Sequence, residues 1–179
     1  SQIMENWASH PEVLKMYAKH YQTGETIPDE LIEKIINSRH FNKGFETVEY
    51  LAASILDMDW HTVTDVTNFD VQKFEAESLS KIGLIPEIAS RYQSTNFNHI
   101  FGGDGYSAGY YGYMWSGVLD SDAFGAFLEN GLFDKATAES FRRNILEKSG
   151  SDDPMNLYIK FRGREPKPDA LIEKLGFNE

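Results

Sequence analysis

The sequence contains no cysteine, and this absence excludes several kinds of chemistry. Disulfide bridges, thiolate nucleophiles and cysteine-ligated zinc sites all need the thiol, so this chain can form none of them. Positive charge is also scarce: 17 lysines and arginines against 28 aspartates and glutamates leave a formal net charge of −11. Repulsion from phosphates therefore argues against nucleic acid and anionic membrane surfaces as partners.

Long apolar runs are missing as well. No segment approaches the roughly 20 apolar residues that a membrane-spanning helix needs, and the opening SQIMENWASH lacks the basic and apolar regions of a secretory signal. We therefore expect no membrane partner, whereas the cellular compartment stays open. Hydrophobic residues make up 41% of the 179 residues, which is enough for a packed core.

Helical periodicity runs through the chain and predicts an all-α fold in a single domain over residues 1–179. Residues that favour helix starts and stops punctuate this pattern. The predicted starts are at Pro28, Asp134 and Asp153, and the predicted stops are at Gly83, Gly131 and Gly176. The longest predicted helix covers about residues 106–130, and another runs from Asp134 to about Lys148. No strand-like alternation competes with these helices.

Reactive side chains are concentrated in one stretch, which reads FNHIFGGDGYSAGYYGYMW over residues 97–115. Its first half carries His99, followed by Gly102, Gly103 and Gly105. Glycines at this density predict a loop whose backbone can take positive φ angles and approach a ligand closely. The histidine beside the loop is a hydrogen-bonding group of a type that changes charge near neutral pH.

Tyrosines dominate the second half of this stretch. Tyr106, Tyr110 and Tyr113 follow at i, i+4 and i+7, which predicts three phenols on one face of a helix that begins near Tyr106. Such phenols can donate neutral hydrogen bonds to a carbonyl or to a developing oxyanion. Tyrosines at helical spacing also pack in cores with their hydroxyls satisfied at the rim, and the spacing leaves both interpretations open.

The segment HIFGGDGYSAGYYGYMWSGVLDSDAF closely resembles the C-terminal catalytic segment of the thimet-oligopeptidase-like (M3) zinc peptidases, particularly their bacterial dipeptidyl carboxypeptidase branch. The stretches SQIMENW, FNKGFETVEYLAASILDMDWHT and FRGREPKPDALIEKLGF are similar to the same family, so the resemblance covers nearly the whole chain. It implies the multi-helix C-terminal part of a zincin-like oligopeptidase catalytic domain. It also implies a zinc-containing parent enzyme that cleaves short peptides and releases C-terminal dipeptides.

The resemblance further implies roles for single residues. His99, Tyr106 and Tyr113 match the family's histidine and tyrosines that contact substrate and stabilise the tetrahedral oxyanion. Asp104 makes the loop one residue longer than the family's usual pattern. The expected substrate-binding set consists of His99, Gly102, Gly103, Gly105, Tyr106, Tyr110 and Tyr113.

One family motif is missing. Family members bind zinc through HExxH and a glutamate of the next helix, but no histidine of this chain has another histidine at i+4. We therefore expect a C-terminal fragment of a longer peptidase, with zinc ligands and general base upstream of Ser1. This fragment is expected to bind no metal and to be inactive alone. His61 has no partner at metal-ligand spacing and is interpreted as a structural or surface histidine.

A function of another class stays open. The chain could be an autonomous helical module that binds or holds peptides without cleaving them. In either case an apolar face normally covered by absent helices would be exposed, and the isolated chain would tend to self-associate. Hydrolysis by the intact gene product distinguishes the two functions.

Overall fold

The computed structural model describes residues 2–177 and confirms the all-α prediction. The α-helices are α1 (Gln2–Ala8), α2 (Pro11–Tyr17), α3 (Asp29–Ser38), α4 (Lys43–His61), α5 (Val71–Lys81), α6 (Asn98–Phe101), α7 (Gly112–Asn130), α8 (Lys135–Phe141), α9 (Pro154–Arg162) and α10 (Asp169–Leu175). A 3₁₀ turn covers Ser94–Asn96 and a π-helical turn covers Arg142–Leu146. Over the described range no β-strand forms, and the one isolated bridge joins Lys19 and Thr26.

The residues fall into two compact units. The middle unit consists of Asn42–Trp115, and the terminal unit combines the chain up to Phe41 with the part from Ser116 onward. The boundary at Ser116 lies inside α7. That residues 1–179 form a single domain stays a prediction. None of the helices described is long and apolar enough to cross a bilayer.

The core of the terminal unit is built around Trp7. Its indole packs edge-on against Phe124 and Phe127, each at a centroid distance of 4.7 Å. The indole N–H donates to the carbonyl of Leu132 at 3.2 Å, so the polar edge of the ring is satisfied. The buried members of this cluster are Ile3, Ala123, Phe124, Phe127, Phe141 and Tyr158.

Several predicted helix boundaries are confirmed with their capping contacts. Asp134 accepts from the Thr137 amide at 2.7 Å, and Asp153 accepts from the Asn156 amide at 3.1 Å, as N-cap carboxylates do. Gly131 follows the last residue of α7 with a φ of 116°, which a residue with a side chain rarely adopts.

Two predicted helices differ from those observed. The helix expected from Tyr106 begins only at Gly112, because Ala108 lies in the left-handed region with a φ of 52° and interrupts any helix there. The helix expected to run to about Lys148 is α-helical only to Phe141 and then widens into the π-helical turn.

The middle unit is organised on α4. This helix buries Ala52, Ala53 and Leu56 completely. Near its end, Trp60 packs against Phe74 of α5 at a centroid distance of 4.3 Å. The buried Ser78 hydroxyl of α5 donates to Asp59 at 2.7 Å, which attaches α5 to α4.

Candidate functional site

An open cavity of about 420 Å³ lies in the middle unit, beside the glycine loop at residues 102–105. Most of the residues predicted to bind substrate line it. The lining consists of Tyr92, Asn96, Asn98, His99, Gly102, Gly103, Gly105 and Tyr106. Tyr92, Asn96 and Asn98 were not predicted from the sequence, because they precede the glycine loop and belong to no recognisable spacing.

Tyr106 and Tyr113 form a stacked pair next to this cavity. Their ring centroids are 5.4 Å apart with an interplanar angle of 9°, and His99 contacts Tyr106 edge-on at 5.7 Å. Tyr106 is 42% exposed, and Tyr113 is half-buried behind it. The structure thus brings together the three residues for which catalytic roles were predicted, although a regular helix does not carry them.

Tyr110 occupies a different position from the other two tyrosines. It is 3% exposed and packs between Tyr50, at 5.3 Å, and Phe97, at 5.1 Å. Its ring contacts Tyr113 at 5.4 Å, so it supports the stacked pair from within the core. Such burial favours packing over direct substrate contact for Tyr110.

Three phenols of the middle unit, those of Tyr50, Tyr110 and Tyr113, have raised pKa values. Burial, followed by the proximity of Tyr92, raises the pKa of Tyr110 to about 12. Burial and the neighbouring Tyr110 raise the pKa of Tyr50 well above its ordinary value. The adjacent hydroxyl of Tyr106, and then burial, raise the pKa of Tyr113. A protonated phenol at Tyr113 can therefore donate a hydrogen bond to an anionic oxygen.

The three loop glycines have different steric surroundings. A Cβ on Gly102 would lie 2.5 Å from the side-chain oxygen of Asn98 and 2.7 Å from its backbone oxygen, so no side chain fits there. A Cβ on Gly103 or Gly105 would meet nothing within 4 Å. None of the three takes the positive φ angle that glycine allows, and Gly102 continues the right-handed turn of α6 with a φ of −82°.

A buried carboxylate holds the backbone between the tyrosines. Asp57 of α4 is completely buried and accepts the amide of Ala108 at 3.1 Å and the amide of Tyr110 at 2.9 Å. It also lies 2.9 Å from Nδ1 of His61, whose Nε2 is 2.6 Å from the Ser107 hydroxyl. His61 therefore has a structural role, one of the two that its sequence indicated, and its contacts lie beside the site.

Across residues 2–177 no group of three or more histidines and acidic residues is arranged to hold a metal ion. Asp57 and His61 are close together, but two backbone amides already occupy the Asp57 carboxylate. The side chains described here thus do not fit a zinc ion, whose protein sites use at least three ligands.

Comparison with known proteins identifies the family. The model for peptidase family M3 matches residues 1–177. The chain is 42% identical to dipeptidyl carboxypeptidase of Escherichia coli K12, over 99% of this chain and 26% of that protein. It is 38% identical to oligopeptidase A of the same organism and 32% identical to saccharolysin of Saccharomyces cerevisiae, over 98% of this chain in both cases. It spans about a quarter of each relative's length. From this match over nearly its whole length, the chain belongs to peptidase family M3.

Proposed function

We propose that this chain is the substrate-contacting and oxyanion-stabilising part of a zinc peptidase that cleaves short peptides and releases C-terminal dipeptides. Membership of family M3 supports peptidase chemistry in general. The relative at 42% identity is named a dipeptidyl carboxypeptidase, which supports the choice of product.

The stacked Tyr106–Tyr113 pair beside the cavity is the observation that carries the proposal. Peptide hydrolysis passes through a tetrahedral intermediate whose oxygen becomes negative, and preorganised neutral donors stabilise this charge. A tyrosine phenol is already protonated at neutral pH, and the pKa of Tyr113 is raised above its ordinary value, so this phenol can donate. Removing one such donor typically costs about 10²–10³-fold in kcat.

Zinc is the metal of M3 peptidases in general, and the residues described here do not fit it. The proposal therefore assigns the metal ligands and the general base to parts of the protein outside these 179 residues. The chain taken alone should be inactive, and no step of hydrolysis is assigned to the metal here.

The test uses the full product of the gene with a fluorogenic short peptide that has a free C-terminus. Tyr113→Phe, and separately Tyr106→Phe, should lower kcat about 10²-fold while KM changes less than about threefold, because the donor acts mainly in the transition state. Tyr111→Phe is the matched control, since Tyr111 is 54% exposed and lies outside the cluster. Its kinetics should match those of the unaltered protein.

Two results would contradict the proposal. If Tyr113→Phe keeps kcat within about twofold, the oxyanion role is wrong. If the intact product binds the peptide but never cleaves it, with zinc supplied, a helical peptide-binding module without catalysis is the better account. Short peptides as partners, self-association of the isolated chain and a cytoplasmic or periplasmic location stay predictions.

A further inference from the structure

We propose that Asp57, His61 and Ser107 form a clasp that fixes the glycine loop and thereby positions Tyr106 and Tyr113 for catalysis. These three residues are positioning residues, because they would act on catalysis only by placing the two tyrosines. The inference therefore rests on the function proposed above for Tyr106 and Tyr113. Nothing in the chain's periodicity or in its resemblance to the M3 peptidases assigns this role to them.

The Asp57 carboxylate is the fixed end of the clasp. It is completely buried, and its oxygens accept the amides of Ala108 and Tyr110. His61 Nδ1 lies 2.8 Å from the Asp57 carbonyl and 2.9 Å from the carboxylate. A buried carboxylate with two amide donors and an adjacent imidazole is compensated, whereas the same group without them would be costly to bury. These contacts also hold Ala108 at a φ of 52°, a conformation that residues with side chains rarely adopt.

His61 connects both ends of the glycine loop. Its Nε2 lies 2.6 Å from the hydroxyl of Ser107, which directly follows Tyr106. Its ring stacks on Phe101, directly before Gly102, at a centroid distance of 6.1 Å and an angle of 28°. Because Nδ1 faces the Asp57 carboxylate and carbonyl, the neutral ring carries its proton there and leaves Nε2 to accept from Ser107.

The same face of α4 binds both the backbone amide and the backbone carbonyl of Tyr110. The Tyr50 hydroxyl donates to the Tyr110 carbonyl at 2.9 Å, while Asp57 accepts the Tyr110 amide. Tyr50, Asp57 and His61 are spaced by seven and four residues, which places them in one row on the helix. One rigid helix therefore fixes the backbone from Ser107 to Tyr110, between the two stacked tyrosines.

Asp57, His61 and Ser107 have the contacts of a catalytic triad, but the surroundings of Ser107 oppose a nucleophilic role. A serine nucleophile needs free donors for the oxyanion of its substrate. The amides of Ala108 and Tyr110 are bound to Asp57, and the Gly109 amide donates to the Tyr106 carbonyl at 2.9 Å. The three amides that follow Ser107 are thus already engaged, which leaves positioning as the role that fits.

The test compares Ser107→Ala with Ser107→Thr in the full product of the gene. Ser107 is exposed, so neither variant threatens folding, and threonine retains the hydroxyl that the clasp needs. Hydrogen exchange of a peptide spanning residues 106–111, followed by mass spectrometry, reports the loop directly and does not depend on hydrolysis. Steady-state kinetics on the short peptide report the effect on catalysis.

Ser107→Ala should speed exchange of this peptide about fivefold, the effect of losing one hydrogen bond. It should lower kcat about tenfold with KM nearly unchanged, because small misplacements of catalytic groups are costly. Ser107→Thr should restore both values. Ser78→Ala removes a serine hydrogen bond of the same unit away from the loop and should leave exchange at residues 106–111 unchanged.

Exchange in Ser107→Ala that stays as slow as in the unaltered protein would overturn the clasp, whatever happens to hydrolysis. If Ser107→Ala raises KM about tenfold and leaves kcat unchanged, the clasp does not position the tyrosines for catalysis. If the unaltered protein cleaves no peptide, the proposed function fails separately, and the exchange result alone decides the clasp. Covalent labelling of Ser107 by a fluorophosphonate would overturn the inference in favour of a nucleophile.

Discussion

Asp122→Asn should destabilise the terminal unit strongly, because Asp122 is a buried anion that binds several partners. Its side chain is 4% exposed. It accepts from the Tyr158 hydroxyl at 2.6 Å and from two guanidinium nitrogens of Arg164, at 2.6 and 3.0 Å. Arg162 lies 3.7 Å away and also pairs with Glu129. Asparagine would remove the charge and direct N–H groups toward these donors.

The expected loss of stability in Asp122→Asn follows from the burial of this ion network. Removing one partner of a buried ion pair costs about 3–5 kcal/mol, since the remaining charge stays buried without compensation. Arg164 is 36% exposed and can be partly solvated, so the lower end of this range, about 3 kcal/mol, applies here. For a chain of this size that loss corresponds to a fall in Tm of about 6–12 °C.

The effect should depend on pH. Burial acts to raise the pKa of Asp122, but hydrogen bonds from Arg164 and Tyr158 outweigh it and lower the pKa below its ordinary value of 3.8. Stability from such a group is complete above the unfolded pKa and is lost as the pH falls through the folded pKa. The Tm difference between the unaltered chain and Asp122→Asn should therefore be constant above about pH 5 and narrow below about pH 4.

Differential scanning calorimetry of this chain from pH 7 to pH 3 measures the difference. Asp152→Asn is the matched control, because Asp152 pairs with Lys160 at 2.8 Å on the surface and should change Tm little. A Tm for Asp122→Asn within about 1 °C of the unaltered chain at pH 7 would refute the reasoning. So would a difference that stays constant down to pH 3.

Two further predictions concern the middle unit. Gly102→Ala should lower the free energy of unfolding by about 1 kcal/mol or more, because its Cβ would lie 2.7 Å from the Asn98 backbone oxygen. A Cβ at Gly103 would meet nothing within 4 Å, so Gly103→Ala should leave stability unchanged, and thermal melts of both variants check this. Raising the pH from about 10 to about 12 should lower the free energy of unfolding, since Tyr110 ionises near 10 when unfolded and at about 12 when folded. Urea melts of Tyr110→Phe should show a smaller decline over that interval, and an equal decline would contradict the assignment.

Helix boundaries were predictable where one residue decides them. Asp134 and Asp153 cap α8 and α9 through amides only three residues ahead, so a short window of sequence contains both partners. The beginning of α7 was not predictable in this way. It depends on Asp57, which binds amides 51 and 53 residues further along the chain. Periodicity within the tyrosine segment contains no information about that contact.

His99, Tyr106 and Tyr113 lie together although the helix predicted from Tyr106 begins only at Gly112. Tyr106 and Tyr113 stack because the backbone between them is compact and turned, with the Gly109 amide on the Tyr106 carbonyl and the Gly112 amide on the Gly109 carbonyl. These turns keep the chain between the two tyrosines compact, and their rings lie 5.4 Å apart. The spacing therefore predicted the contact between Tyr106 and Tyr113, whereas Tyr110, predicted on the same face, lies in the core.

The role of His61 shows what a search for metal motifs overlooks. That search asks for a second histidine at i+4, whereas the partner that defines His61 is an aspartate at i−4, on the same face of α4. An Asp-x-x-x-His pair on one helix face leaves one ring nitrogen of the histidine available, either to water or to another group of the fold. In this chain the Nε2 atom of His61 contacts the hydroxyl of Ser107, 46 residues away, at the end of the glycine loop. The sequence shows the Asp57–His61 pair but not its distant partner, and the loop that this pair contacts carries the tyrosines proposed for catalysis.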